Sequence, residues 1–109
     1  MKIAIFPGSF DPFTIGHYDI VKRALTLFDK IVIGIGQNQA KQSTFNLTER
    51  LERIEKAFAD ESRVVVTTYD GLTVDFARKH GATHIVRGVR STIDFEYERS
   101  IAEANRQLS

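Results

Sequence analysis

Residues 2–36 read KIAIFPGSFDPFTIGHYDIVKRALTLFDKIVIGIG, and this stretch decides the fold. It opens on a short apolar run, Lys2 to Phe6, and closes on another, Lys30 to Gly36. Between them Val21, Ala24, Leu25 and Phe28 recur at the spacing that lines one face of a helix. Both runs are apolar at nearly every position rather than at every second one, so each is predicted to be a parallel strand buried on both faces. The reading extends outward from this strand-helix-strand unit. Further runs lie at Arg63 to Tyr69 and Thr83 to Arg87, and further helical stripes at Leu47, Leu51, Ile54, Phe58 and at Tyr97, Ile101, Ala104, Leu108. Thr48-Glu49 and Leu72-Thr73 place a capping hydroxyl near a helix start, and His80-Gly81 reads as a last turn with its C′ glycine. Four successive β-α units imply an α/β fold, a doubly wound parallel sheet with right-handed crossovers.

Composition narrows the function classes. The 109 residues, 42% hydrophobic and 27% charged, fit one globular domain, residues 1–109, and leave no room for two. No cysteine is present, which excludes a disulfide framework and a thiolate nucleophile, and the three histidines are unsuitably spaced for zinc. Fifteen Lys and Arg against fourteen Asp and Glu give a net charge of +1, which argues against a nucleic-acid partner bound through a general positive field. Neither a membrane-spanning run nor a signal-peptide pattern occurs, so a cytoplasmic protein with no membrane partner is expected.

The two long irregular stretches, Pro7 to Gly16 and Gln37 to Asn46, each follow the carboxyl end of a strand, where open α/β sheets hold ligands. Pro7-Gly8 reads as a tight turn exposing backbone N–H groups, Ser9 adds a hydroxyl, and Gly16-His17 opens a helix whose amino end favours anions. That is a phosphate cradle, though neither a Walker A loop nor a dinucleotide fingerprint; Gly34-Ile35-Gly36 lies inside a strand and lacks the third glycine. Arg87 and Arg90 flank Gly88 just past the fourth strand, and forked guanidinium donors suit phosphate oxygens. Each residue taken singly also has an ordinary reading. His17 fits a satisfied buried histidine, Lys41 and Glu98 solvated charges, the arginines surface residues, and Thr73 a helix N-cap. His80, His84 and Tyr97 read as structural.

The run from Phe6 to His17, ending in Thr14-Ile15-Gly16-His17, resembles the amino-terminal motif of the T/H-x-G-H nucleotidyltransferase superfamily. Within it, the chain is similar to the bacterial phosphopantetheine adenylyltransferase family. Arg87-Gly88-Val89-Arg90 resembles that family's R-G-x-R segment, and Asp94-Phe95-Glu96-Tyr97-Glu98 its D-F-E-Y-E segment. The resemblance runs from Lys2 to Leu108 and implies a Rossmann-like nucleotidyltransferase fold. It implies transfer of the adenylyl group from ATP to 4′-phosphopantetheine, releasing pyrophosphate. By resemblance His17, Lys41 and Arg90 are the catalytic groups. ATP would meet Gly8, Ser9, Phe10, His17, Gly88, Val89, Arg90 and Glu98, and the pantetheine substrate Ser9, Lys41, Thr73, Arg87 and Asn105. Magnesium is expected to arrive with ATP through phosphate oxygens, with no protein metal ligand. The family also assembles as a hexamer.

The family continues past the last helix into a fifth strand and an I-S-S-x-x-V-R-E type motif that holds ATP, and these 109 residues carry nothing like it. The chain therefore reads as carboxyl-terminally truncated. Two other functions stay open on the residues: a sister enzyme acting on another phosphate, and a nucleotide-binding fragment without catalysis. A flavodoxin-like module shares the alternation but leaves the Thr14 to His17 and Arg87 to Arg90 motifs unexplained.

Overall fold

The computed structural model describes residues 1–37, 46–89 and 92–97, with residues 88–89 and 92–97 described by their backbone alone. Eight elements follow in chain order: β1 (Ile3–Gly8), α1 (Ile15–Ala24), β2 (Lys30–Gly36), α2 (Leu47–Ala57), β3 (Val64–Tyr69), α3 (Thr73–Lys79), β4 (His84–Val89) and β5 (Thr92–Tyr97). They form one sheet of order β3-β2-β1-β4-β5, in which the first four strands are parallel and β5 runs antiparallel to β4.

Strand alternation sends side chains to two cores. Ala4, Phe6, Ile31, Ile33, Ile35 and Val86 meet Ile20, Val21, Ala24, Leu25 and Phe28 beside α1 and Ile54 and Phe58 beside α2. On the opposite face Ile5, Val32 and Ile85 meet Val74, Phe76 and Ala77 of α3. The doubly wound reading therefore holds, and the central strands are apolar throughout because helices cover both their faces.

Several boundaries depart from expectation. The cap of α2 is Asn46, whose side chain accepts from Glu49 N–H at 2.8 Å, and not the hydroxyl of Thr48. The cap of α3 is Leu72, which makes no side-chain cap bond, so Thr73 is the first helical residue and not an N-cap. Gly81 does close α3, at φ +70°. Tyr97, expected to begin a helical stripe, ends strand β5; the remainder of that stripe lies outside the described residues. Ile93 to Tyr97 alternate β-branched or aromatic residues with acids, a period-two pattern, and the outer edge of β4 offers unpaired backbone groups that a neighbouring strand satisfies.

One close approach fixes how α3 sits. Phe76 stacks on Tyr69, with ring centroids 4.3 Å apart, directly over Gly34 of β2. A Cβ at Gly34 would overlap the Phe76 ring and lie 3.0 Å from Tyr69. Gly34→Ala is expected to destabilise the fold by about 1–3 kcal/mol through overpacking. An unchanged urea midpoint would mean that the Phe76 ring moves aside without cost.

Candidate functional site

The site begins with a seam in the sheet. Strand β1 pairs with β2 along its whole length, to Gly8 opposite Ile35, but with β4 only at Ala4 opposite His84 and Ile5 opposite Ile85. Past Ile5 the two strands part, and β4 pairs onward with β5 alone. The seam lies where the strand order reverses, because the chain moves outward through β2 and β3 and then returns to the other side of β1. Open α/β sheets take their ligands at such a point, beyond the carboxyl ends of the strands.

The loop that leaves β1 borders this seam. Pro7 and Gly8 continue the strand and do not form the tight turn expected of them, since their backbone stays paired with β2. Gly8 packs closely: a Cβ there would lie 3.1 Å from the ring of Phe10. Phe10 itself has left-handed backbone, φ +49°, and a buried ring 5.1 Å from Phe6 and 5.6 Å from Phe13. Of the expected ATP contacts, Phe10 thus has only its main chain to offer, while the partly buried Ser9 retains its hydroxyl.

His17 occupies the third position of α1 and closes a capping box with Thr14. The Thr14 hydroxyl accepts from His17 N–H at 3.3 Å, and Thr14 N–H donates to His17 Nδ1 at 2.9 Å. A backbone N–H can only donate, so Nδ1 must be the acceptor nitrogen and the neutral ring carries its proton on Nε2. Burial holds the His17 pKa below its ordinary 6.5, which keeps the ring neutral at pH 7. The rings of Phe10 at 5.1 Å, Phe13 at 5.4 Å and Phe6 at 6.1 Å surround it. Beside it the N–H groups of Ile15 and Gly16, the first two helical residues, lack intrahelical acceptors. The result is a cluster of oriented donors suited to an anion.

A residue to which the sequence assigned no role completes the cluster. Arg50 is fully buried, and its Nη1 donates to the Ser9 carbonyl at 2.7 Å across 41 positions of sequence. The signal was available: Arg50 stands three residues after Leu47 and four before Ile54, on the inward stripe of α2.

Four of the remaining expected residues lie on described elements. Thr73 begins α3, with its hydroxyl 3.0 Å from that of Tyr69. Arg87 is exposed and, two residues beyond Ile85, falls on the α3 face of the sheet, opposite the face that carries His17 and Arg50. Gly88 and Val89 end β4. Lys41, Arg90, Glu98 and Asn105 lie outside the described residues. Among the described residues no three His, Cys, Asp or Glu gather to hold a metal, and no helix is long and apolar enough to cross a membrane.

The family profile described as Cytidylyltransferase-like matches residues 5–108. The phosphopantetheine adenylyltransferase of Phocaeicola vulgatus is 60% identical over 109 residues, which are 100% of this chain and 72% of that protein. That of Bacteroides fragilis is 55% identical over 109 residues, 100% of this chain and 73% of its own length. Among solved structures, a bifunctional NMN adenylyltransferase/ADP ribose pyrophosphatase from Francisella tularensis superposes with a TM-score of 0.62 at 26% identity, over 73% of this chain and 27% of that one. The same protein has also been solved complexed with AMP and an Mn ion. Sharing more than half its residues with these relatives from end to end, the chain belongs to the phosphopantetheine adenylyltransferase family, within the cytidylyltransferase-like group.

Proposed function

We propose that this chain carries the adenylyl-transfer chemistry of coenzyme A assembly: ATP and 4′-phosphopantetheine react to give dephospho-coenzyme A and pyrophosphate. The observation that carries the reading is the neutral His17 ring, held with its Nε2–H free of any acceptor among the described residues, at the head of α1 beside the seam. A phosphate-monoester oxygen forms a bond to the α-phosphorus, and the bond from that phosphorus to the bridging oxygen breaks as pyrophosphate leaves. The second pKa of such a monoester is about 6, so the nucleophile is already ionised at neutral pH and no general base is needed. Catalysis then rests on holding two polyanions in line and donating to the charge that builds on the α-phosphate oxygens.

In this scheme Nε2–H of His17 donates to an α-phosphate oxygen, and the free N–H groups at the head of α1 hold neighbouring phosphate oxygens. Ser9 and the Phe10 main chain face the triphosphate. Thr73, Arg87, Lys41, Arg90, Glu98 and Asn105 keep the roles that the family resemblance gives them. Magnesium carried on the triphosphate would offset part of its charge, and no residue of this chain is assigned to hold it. The cytoplasmic setting and the six-fold assembly rest on the same resemblance.

Incubating the chain with ATP, magnesium and 4′-phosphopantetheine is expected to release pyrophosphate, and nicotinamide mononucleotide or glycerol phosphate is not expected to replace the acceptor. Release with either of these and none with phosphopantetheine would assign the site to a sister reaction. His17→Ala is expected to lower turnover about 100- to 1,000-fold, the usual effect of removing one such donor, with little change in ATP affinity. Wild-type turnover would remove His17 from the chemistry.

The depressed His17 pKa also has a sign. The unfolded chain takes up this proton more readily than the folded one, so the contribution of His17 to stability is complete above pH 6.5 and is lost as pH falls through the folded value. Protonating Nδ1 sets it against the Thr14 N–H and breaks the capping box. Urea midpoints measured from pH 8 to pH 5 are therefore expected to fall less steeply in His17→Asn than in the wild type, and parallel curves would contradict the assignment.

A further inference from the structure

We propose that Arg50 is a positioning residue for the nucleotide phosphates, acting through the peptide between Ser9 and Phe10. This deepens the adenylyl-transfer reading and rests on it.

Arg50 is 0% exposed. Its Nε donates to the Asn46 carbonyl at 3.4 Å and its Nη1 to the Ser9 carbonyl at 2.7 Å, so one guanidinium joins the cap of α2 to the loop after β1. The peptide it grips is trans and planar, with C=O and N–H on opposite sides. Because the Ser9 carbonyl is held toward buried Arg50, the Phe10 N–H points the other way, away from the guanidinium. The residue that follows needs such a hold. Phe10 has left-handed backbone, and a non-glycine residue stays there only when its surroundings over-determine it. The packed Phe10 ring fixes it on one side and the Arg50 bond on the other.

Arg50 also has capacity left over. Its Nη2 is buried with no hydrogen-bond partner, and among the described residues no carboxylate pairs with its charge. Arginine does not shed its proton, so this is a permanent buried cation behind the Ser9–Phe10 peptide. A polyanion in the seam offsets that charge, which gives the guanidinium two linked effects, aim and attraction.

The test uses the 109-residue chain, tripolyphosphate as a probe of the phosphate site, and Arg50→Lys, which keeps the charge but loses the fork. Arg23→Gln serves as the control, removing an exposed arginine that is paired with Asp19 on α1. Arg50→Lys is expected to bind tripolyphosphate about tenfold more weakly by calorimetry and to lose turnover about 10- to 100-fold, as small misplacements of reacting groups do, while KM for the acceptor changes little. The control should match the wild type in all three. Wild-type affinity and turnover in Arg50→Lys, or equal losses in the control, would overturn the proposal.

If Arg50→Lys does not fold by circular dichroism, the wild type still decides: tripolyphosphate should shift the Phe10 amide resonance strongly, and an unmoved resonance would refute the proposed aim. Should the wild type bind tripolyphosphate but transfer nothing to phosphopantetheine, the substrate assignment fails. The binding and resonance results then still judge Arg50.

Discussion

The early end of the ladder between β1 and β4 is the constraint on which the rest of this molecule depends. Strand β1 lies at the centre of the sheet, and a fully bonded neighbour on each side would leave nothing at its carboxyl end but closed backbone. Bonding stops instead after Ile5 and Ile85, while the other edge of β1 stays zipped to Gly8. The residues beyond Ile5 are therefore held in place from one side and open on the other. That asymmetry makes a rigid ledge out of a strand end, and the loop, the helix head and the arginine of α2 all gather upon it.

The capping box then gives the ledge its chemistry. Capping boxes ordinarily place Glu or Gln at the third helical position, where a side-chain acceptor reaches back to the cap N–H. Here the acceptor is a ring nitrogen of His17. A carboxylate in that place would bring negative charge beside the free N–H groups at the head of α1, whereas the imidazole meets the structural demand with one nitrogen and leaves an N–H on the other. A single side chain thus caps the helix and keeps a donor to spare, and the aromatic wall around it keeps the ring neutral.

Much of this was legible in the sequence, for identifiable reasons. The central strands could be read because burial on both faces makes them apolar throughout, and α1 and α2 because their stripes match a helical period. Ser9 and His17 stood out as parts of a motif. The caps of α2 and α3 were misplaced because Thr48 and Thr73 offer hydroxyls close to the true starts, and only backbone geometry selects between adjacent positions. Tyr97 fits either period, and the open edge of β4 resolved it as strand. Arg50 was passed over because a charged residue within a helix is usually solvated. Its inward position shows only when it is counted against Leu47 and Ile54, and its partner, Ser9, stands 41 residues away.

That separation also orders events in time. Arg50 is made 41 residues after Ser9, and contacts distant in sequence form late because a long loop must close first. Until α2 docks, the Phe10 backbone has no reason to stay left-handed and the Ser9 carbonyl nothing to turn toward. A nascent chain therefore carries the run from Phe6 to His17 in full well before that loop takes its final shape, which comes only with the packing of the first core.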